Sequence, residues 1–240
     1  MSLRLRSFVG LYALTFAIGR GLFRRSTDAS AVQALTVGYP DMAFIGLPIL
    51  VATVGQTAGT LPVLVGNIVT SLVLVPVTVA VLASKTASTT DSRISLSRIV
   101  RSAIKPPLVW LPILGVVLAV AGVIQLPSVV NSTLSPLAKT AGGVALVTIG
   151  LVLSHQRVLI NREVATNAAL KLVAMPLAML GLVSAFGIDG DARRALLLLA
   201  VTPTATAAGM LSLQYRTYVR EASPTILVTT GLSLIGYVIV

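Results

Sequence analysis

Apolar positions fill this chain in stretches of about twenty, divided by short runs rich in arginine, serine and glycine. Eight such stretches fall at 7–23, 30–54, 60–83, 107–126, 133–153, 166–187, 193–214 and 223–240. Roughly 20 apolar residues are what a helix needs to cross the hydrocarbon core of a bilayer. None of the stretches alternates with period two, which argues against a β-barrel. The pattern predicts an all-α integral membrane protein with about eight transmembrane helices. The second stretch is long and carries Pro40 and Pro48, and the seventh carries Pro203 followed by small residues through Gly209. Each is expected as a broken helix, two half-helices meeting near the middle of the membrane.

Composition changes the picture little. Mean hydropathy is +0.95, and 10% of residues are charged. So apolar a chain of 240 residues finds its solvent in lipid. The net charge of +11 raises the question of nucleic acid. Its arginines sit in short loops rather than in a stripe with interleaved aromatics, which sets nucleic acid aside. There are no cysteines, so disulfides, thiolate metal sites and thiol catalysis are excluded. One histidine and few acids give no catalytic constellation, and no metal site or cofactor is expected.

Charge also orients the spans. Arg20, Arg24 and Arg25; Lys85, Arg93, Arg98, Arg101 and Lys105; Arg157 and Arg162; and Arg216 and Arg220 all fall on one side. The other side holds Arg4, Arg6, Arg193 and Arg194. The positive-inside rule puts the first set in the cytoplasm and both ends of the chain outside. The opening residues mimic a secretory leader, but no small-residue cleavage pattern follows, so they are read as a first span.

The two ends of the chain match one another. Pro40 and Gly46 correspond to Pro203 and Gly209, and Pro62 to Pro224. Counting spans makes the second copy inverted, an architecture of secondary transporters whose site lies where the broken helices cross.

The residues at that crossing are the candidate site. Asp41 is a carboxylate in an apolar span, at a cost of roughly 2.5–3.5 kcal/mol. It is either a residue that couples transport to H⁺ or Na⁺, or a cap for the half-helix freed beside it. Pro40, Pro48 and Pro203, with Gly46 and Gly209, either open backbone groups to a substrate or simply kink and pack the helices. Thr202, Thr204 and Thr206 either donate to a substrate or re-satisfy the kinked backbone. Lys171 either snorkels to the interface, attracts a carboxylate substrate or pairs with Asp41. Lys139 is expected to snorkel, Asn67 is a weaker crossing candidate, and His155 reads as a solvated surface residue.

The segment YPDMAFIGLPIL resembles the fourth-helix motif of the auxin efflux carrier family, approximately N-x-G-F-x-G-x-P. Phe44, Gly46 and Pro48 match it, and Asp41 stands where that family usually has asparagine. The stretch from Thr202 to Leu234 is similar to the family's ninth and tenth helices. The resemblance implies two inverted five-helix halves, of which this chain begins at the third helix. It further implies transport helices at 1–84 and 155–240, remaining scaffold helices at 106–154 and a basic cytoplasmic linker at 85–105. The implied function is a permease of small organic anions such as malonate or related dicarboxylates, integral to the plasma membrane. Candidate partners are the anion, H⁺ or Na⁺, the lipid bilayer and a second copy in a homodimer. The rival reading is a non-transporting truncated paralogue or partner subunit. A membrane enzyme is a poorer fit, since it would carry polar candidates on several spans.

Overall fold

The computed structural model describes residues 2–88, 114–115, 117–118, 122, 127–154 and 160–239. Beyond Ser88 the expected linker, most of the span at 107–126, and His155 with Arg157 lie outside the described residues. What is described is helical: α1 (Ser2–Gly21), α2 (Thr27–Gly38), α3 (Leu47–Val54), α4 (Gln56–Val69), α5 (Val75–Ser88) and α6 (Ser128–Ser154) come first. Then follow α7 (Arg162–Ala169), α8 (Met175–Ala185), α9 (Gly190–Val201), α10 (Thr206–Gln214) and α11 (Val219–Ile239).

Three wider, π-helical turns join helices without a loop: Met42–Gly46 before α3, Thr70–Leu74 between α4 and α5, and Leu170–Ala174 between α7 and α8. A proline stands two residues after each, at Pro48, Pro76 and Pro176. Proline removes an N–H, and its ring collides with the carbonyl four residues back. Widening the preceding turn to an i→i+5 pattern relieves both. Pro48 therefore does not break its helix. It sits in the first turn of α3, where a missing N–H costs nothing.

The break in the second apolar stretch lies at Tyr39–Asp41, and its counterpart in the seventh at Thr202–Ala205. These gaps divide the stretches at 27–54 and 190–214 into half-helices, each too short to span alone. Among the described residues, two continuous helices are long and apolar enough to cross a membrane, Gln56–Ser84 and Arg162–Ala185. Large apolar side chains point outward on both: Leu61, Leu64 and Ile68 on the first, Val173, Leu177 and Leu180 on the second. In water such faces would be a liability; in lipid they are the solvated surface.

The inward face is equally regular. Glu163, Asn167, Lys171, Met175, Met179 and Val183 recur every fourth residue and are all buried. An α-helix drifts about 40° per four-residue step. The π-helical turn winds less per residue and returns the stripe to the interior. The core it meets joins Leu35, Val37 and Met42 of the first half to Leu198, Leu199 and Ala208 of the second. α1 packs along α2, α9 packs against α3, α4 and α8, and α11 packs against α2, α7 and α9. All these contacts surround the place where the two breaks meet.

Candidate functional site at the helix crossing

Where α2 ends, Tyr39, Pro40 and Asp41 run extended and meet Pro203, Thr204 and Ala205 running the other way. Pro40 faces Thr204 in an antiparallel bridge. The Asp41 N–H donates to the Pro203 carbonyl at 2.8 Å, and the Ala205 N–H donates to the Tyr39 carbonyl at 2.8 Å. Each break thus satisfies backbone groups the other has freed, which a lone break in lipid cannot do.

Side chains complete the accounting. Thr204 Oγ1 donates to the Thr36 carbonyl at 2.8 Å, and the Thr204 N–H donates to Thr229 Oγ1 at 3.2 Å. Thr202 Oγ1 donates to the Leu199 carbonyl at 2.7 Å. Thr202 and Thr204 therefore spend their hydroxyls on the protein's own backbone. A Cβ on Gly46 would lie 3.1 Å from Thr202 Cγ2 and 3.3 Å from the Asp41 carbonyl, so glycine lets the π-helical turn touch the other break. Thr206 and Gly209 are buried in the first turns of α10.

Asp41 is 4% exposed. Its Oδ1 accepts from the Phe44 N–H at 3.3 Å, and the N–H groups of Thr206 and Ile45 also bear on the carboxylate. It sits at the N-terminal ends of two half-helices, where orphan donors and helix dipoles favour negative charge. The cap is thus a physical fact. Lys171 does not snorkel: it is wholly buried, and its Nζ donates to Met175 Sδ at 3.1 Å. Among the described residues no carboxylate comes within ion-pair distance of it, and Asp41 is the acid whose field reaches it. Asn67 is half-buried on α4. Pro48 is exposed and stands apart from the crossing.

A second polar cluster, missed by the sequence reading, lies on the arginine-rich side. Arg25 Nε donates to Glu163 Oε1 at 2.8 Å, and its Nη2 donates to Glu221 Oε1 at 2.7 Å. Tyr218 donates to Glu163 Oε2 at 3.1 Å, Asn167 donates to Tyr218 Oη at 3.0 Å, and Gln33 donates to Asn167 Oδ1 at 2.9 Å. The hydrogen bond to Glu163, reinforced by the charge of Glu221, raises the Arg25 guanidinium above its ordinary value. Burial raises the Tyr218 phenol, so both keep their protons. Arg216 (φ 49°) and Tyr218 (φ 61°) hold left-handed backbone there, a conformation the cluster pins. Two cavities flank the cluster, about 600 Å³ beside Arg162 and about 370 Å³ beside Arg216 and Arg220, and neither is lined by a crossing residue. The available sequence signal was Glu163, Asn167 and Lys171 at four-residue spacing, with Gln33 in an apolar stretch.

The family profile described as "Membrane transport protein" matches residues 5–239. The protein called "Uncharacterized transporter YfdV" from Escherichia coli (strain K12) is 28% identical over 218 residues, covering 90% of this chain and 68% of that relative. Its counterparts in Escherichia coli O157:H7 and Shigella flexneri match to the same extent.

Proposed function

We propose that this chain, which belongs to the membrane transport protein family, that of the auxin efflux carriers, carries small organic anions across the cytoplasmic membrane by alternating access. The family consists of transporters and not of enzymes. The observation that carries the finer reading is the crossing, where a buried carboxylate and a buried ammonium flank two half-helix ends. Half-helix N-termini offer N–H groups to a carboxylate substrate, and an unwound segment at the membrane centre is where such carriers bind. The substrate class is malonate or a related carboxylate. It is held beside Asp41, between Pro40 and Gly46 of one break and Thr206 and Gly209 of the other, while Thr202, Pro203 and Thr204 shape the crossing through the hydrogen bonds they already make. Lys171 attracts it, and Asp41 couples its passage to a cation.

In this reading eight spans form an inverted-repeat carrier. Residues 1–84 and 155–240 make the moving transport unit, 106–154 the scaffold, and 85–105 the cytoplasmic link. The transport unit rocks against the scaffold and exposes the crossing first on one side, then on the other. Uptake of radiolabelled malonate, lactate and indole-acetate into proteoliposomes tests it. Saturable uptake of at least one, lost in Asp41→Ala, is expected. No flux for any anion under an inward proton or sodium gradient would contradict the carrier.

A further inference from the structure

We propose that Asp41 and Lys171 form a charge-exchange device in which a substrate carboxylate binds Lys171 while one proton enters onto Asp41, so that the coupling ion is H⁺. The inference rests on the carrier reading and deepens it. Lys171 is a fully buried ammonium with three donors, whose hydrogen-bond acceptor among the described residues is a thioether. A buried charge is retained only with compensation. Asp41 supplies it through space, without closing an ion pair. In this device the empty site carries one positive charge on Lys171 and one negative charge on Asp41, and is neutral overall. Among the described residues, the other titratable groups coupled to Asp41 are Tyr39, beside it in the break, and Tyr237 on α11, whose buried hydroxyl has no hydrogen-bond partner among them.

A carboxylate arriving at this neutral site brings one negative charge into low dielectric. Lys171 has open donors to receive it, but then no longer compensates Asp41. A proton on Asp41 restores neutrality. One Asp41 O–H bond forms on loading and breaks on release at the other face, and the proton travels from solution to solution with the anion. Sodium fits this place poorly. The carboxylate already faces the N–H donors of Phe44, Thr206 and Ile45, which compete with a metal cation for its oxygens. The resident ammonium also repels a second fixed cation. The position of Lys171 is set by the π-helical turn Leu170–Ala174, a feature frequent at functional sites.

Two measurements decide it. Pyranine-loaded proteoliposomes given radiolabelled lactate or malonate should show protons entering with the anion, and replacing sodium with choline should leave uptake unchanged. Lys171→Met, matched to an apolar lining, should lose uptake about tenfold or more, the equivalent of one lost charge-assisted contact. Sodium-dependent uptake, or a Lys171→Met rate equal to wild type, would overturn the device. The second measurement is thermal unfolding in detergent of Asp41→Asn, Lys171→Met and the double variant. The double should lose less than the sum of the singles, because it leaves neither charge alone. Strictly additive losses would refute the pairing whatever the flux. Absence of flux from every protein would refute the carrier reading and the co-entry step, while the unfolding cycle would still report on the pair.

Discussion

At Asp41 a single carboxylate meets the N-terminal ends of two half-helices, one from each half of the chain. Capping and coupling therefore separate by substitution. Asparagine caps as well as aspartate, whereas alanine at a cap costs about 1 kcal/mol. Asp41→Asn should lose proton coupling and the charge that compensates Lys171 while keeping the cap, and Asp41→Ala, which loses the cap as well, should unfold at a lower temperature still. Thermal unfolding and flux on the same preparations would show whether the two properties part. Asp41 was legible because an ionisable residue in an apolar stretch is conspicuous. The direction of Lys171 was not legible. Snorkelling and burial differ by which way a helix face points, and an added π-helical turn decides that face.

Proline spacing explains the elements. Pro48, Pro76 and Pro176 each follow a widened turn, and the breaks fall instead at Tyr39–Asp41 and Thr202–Ala205. Pro176→Ala should restore an N–H to the helix and relieve the collision that widens Leu170–Ala174. Because the widened turn already relieves the proline's cost and Pro176 stands in the first turn of α8, stability should change little, with reduced uptake as Lys171 turns from the crossing. Unchanged uptake would detach that turn from the site. Gly46→Val should cost about 1–3 kcal/mol by overpacking, since its first carbon lies 3.1 Å from Thr202 Cγ2. A wild-type unfolding temperature would contradict that close approach. The sequence announced two broken helices because proline and glycine recur at matched spacing. It assigned the first break to Pro40 and Pro48 together; the break falls at Pro40, and Pro48 stands in the first turn of α3, where a proline terminates nothing.

Across the whole molecule, Arg25 ties the loop after α1 to Glu163 on α7 and Glu221 on α11. Those residues are far apart in sequence, so no local pattern could reveal the cluster, although the basic side of the membrane was readable from loop charge. Arg25→Ala would leave two mostly buried carboxylates without a cation. The guanidinium is 38% exposed, and solvent screening reduces the loss to about 1–2 kcal/mol. A fall in unfolding temperature without loss of specific uptake per folded molecule is expected, because the cluster supports the site from outside it. The most direct test of the central claim is anion uptake by wild type and Asp41→Asn under an inward proton gradient. The account predicts that the gradient accelerates wild-type uptake and does nothing for Asp41→Asn. Equal acceleration of both proteins would contradict a coupled carrier centred on the crossing.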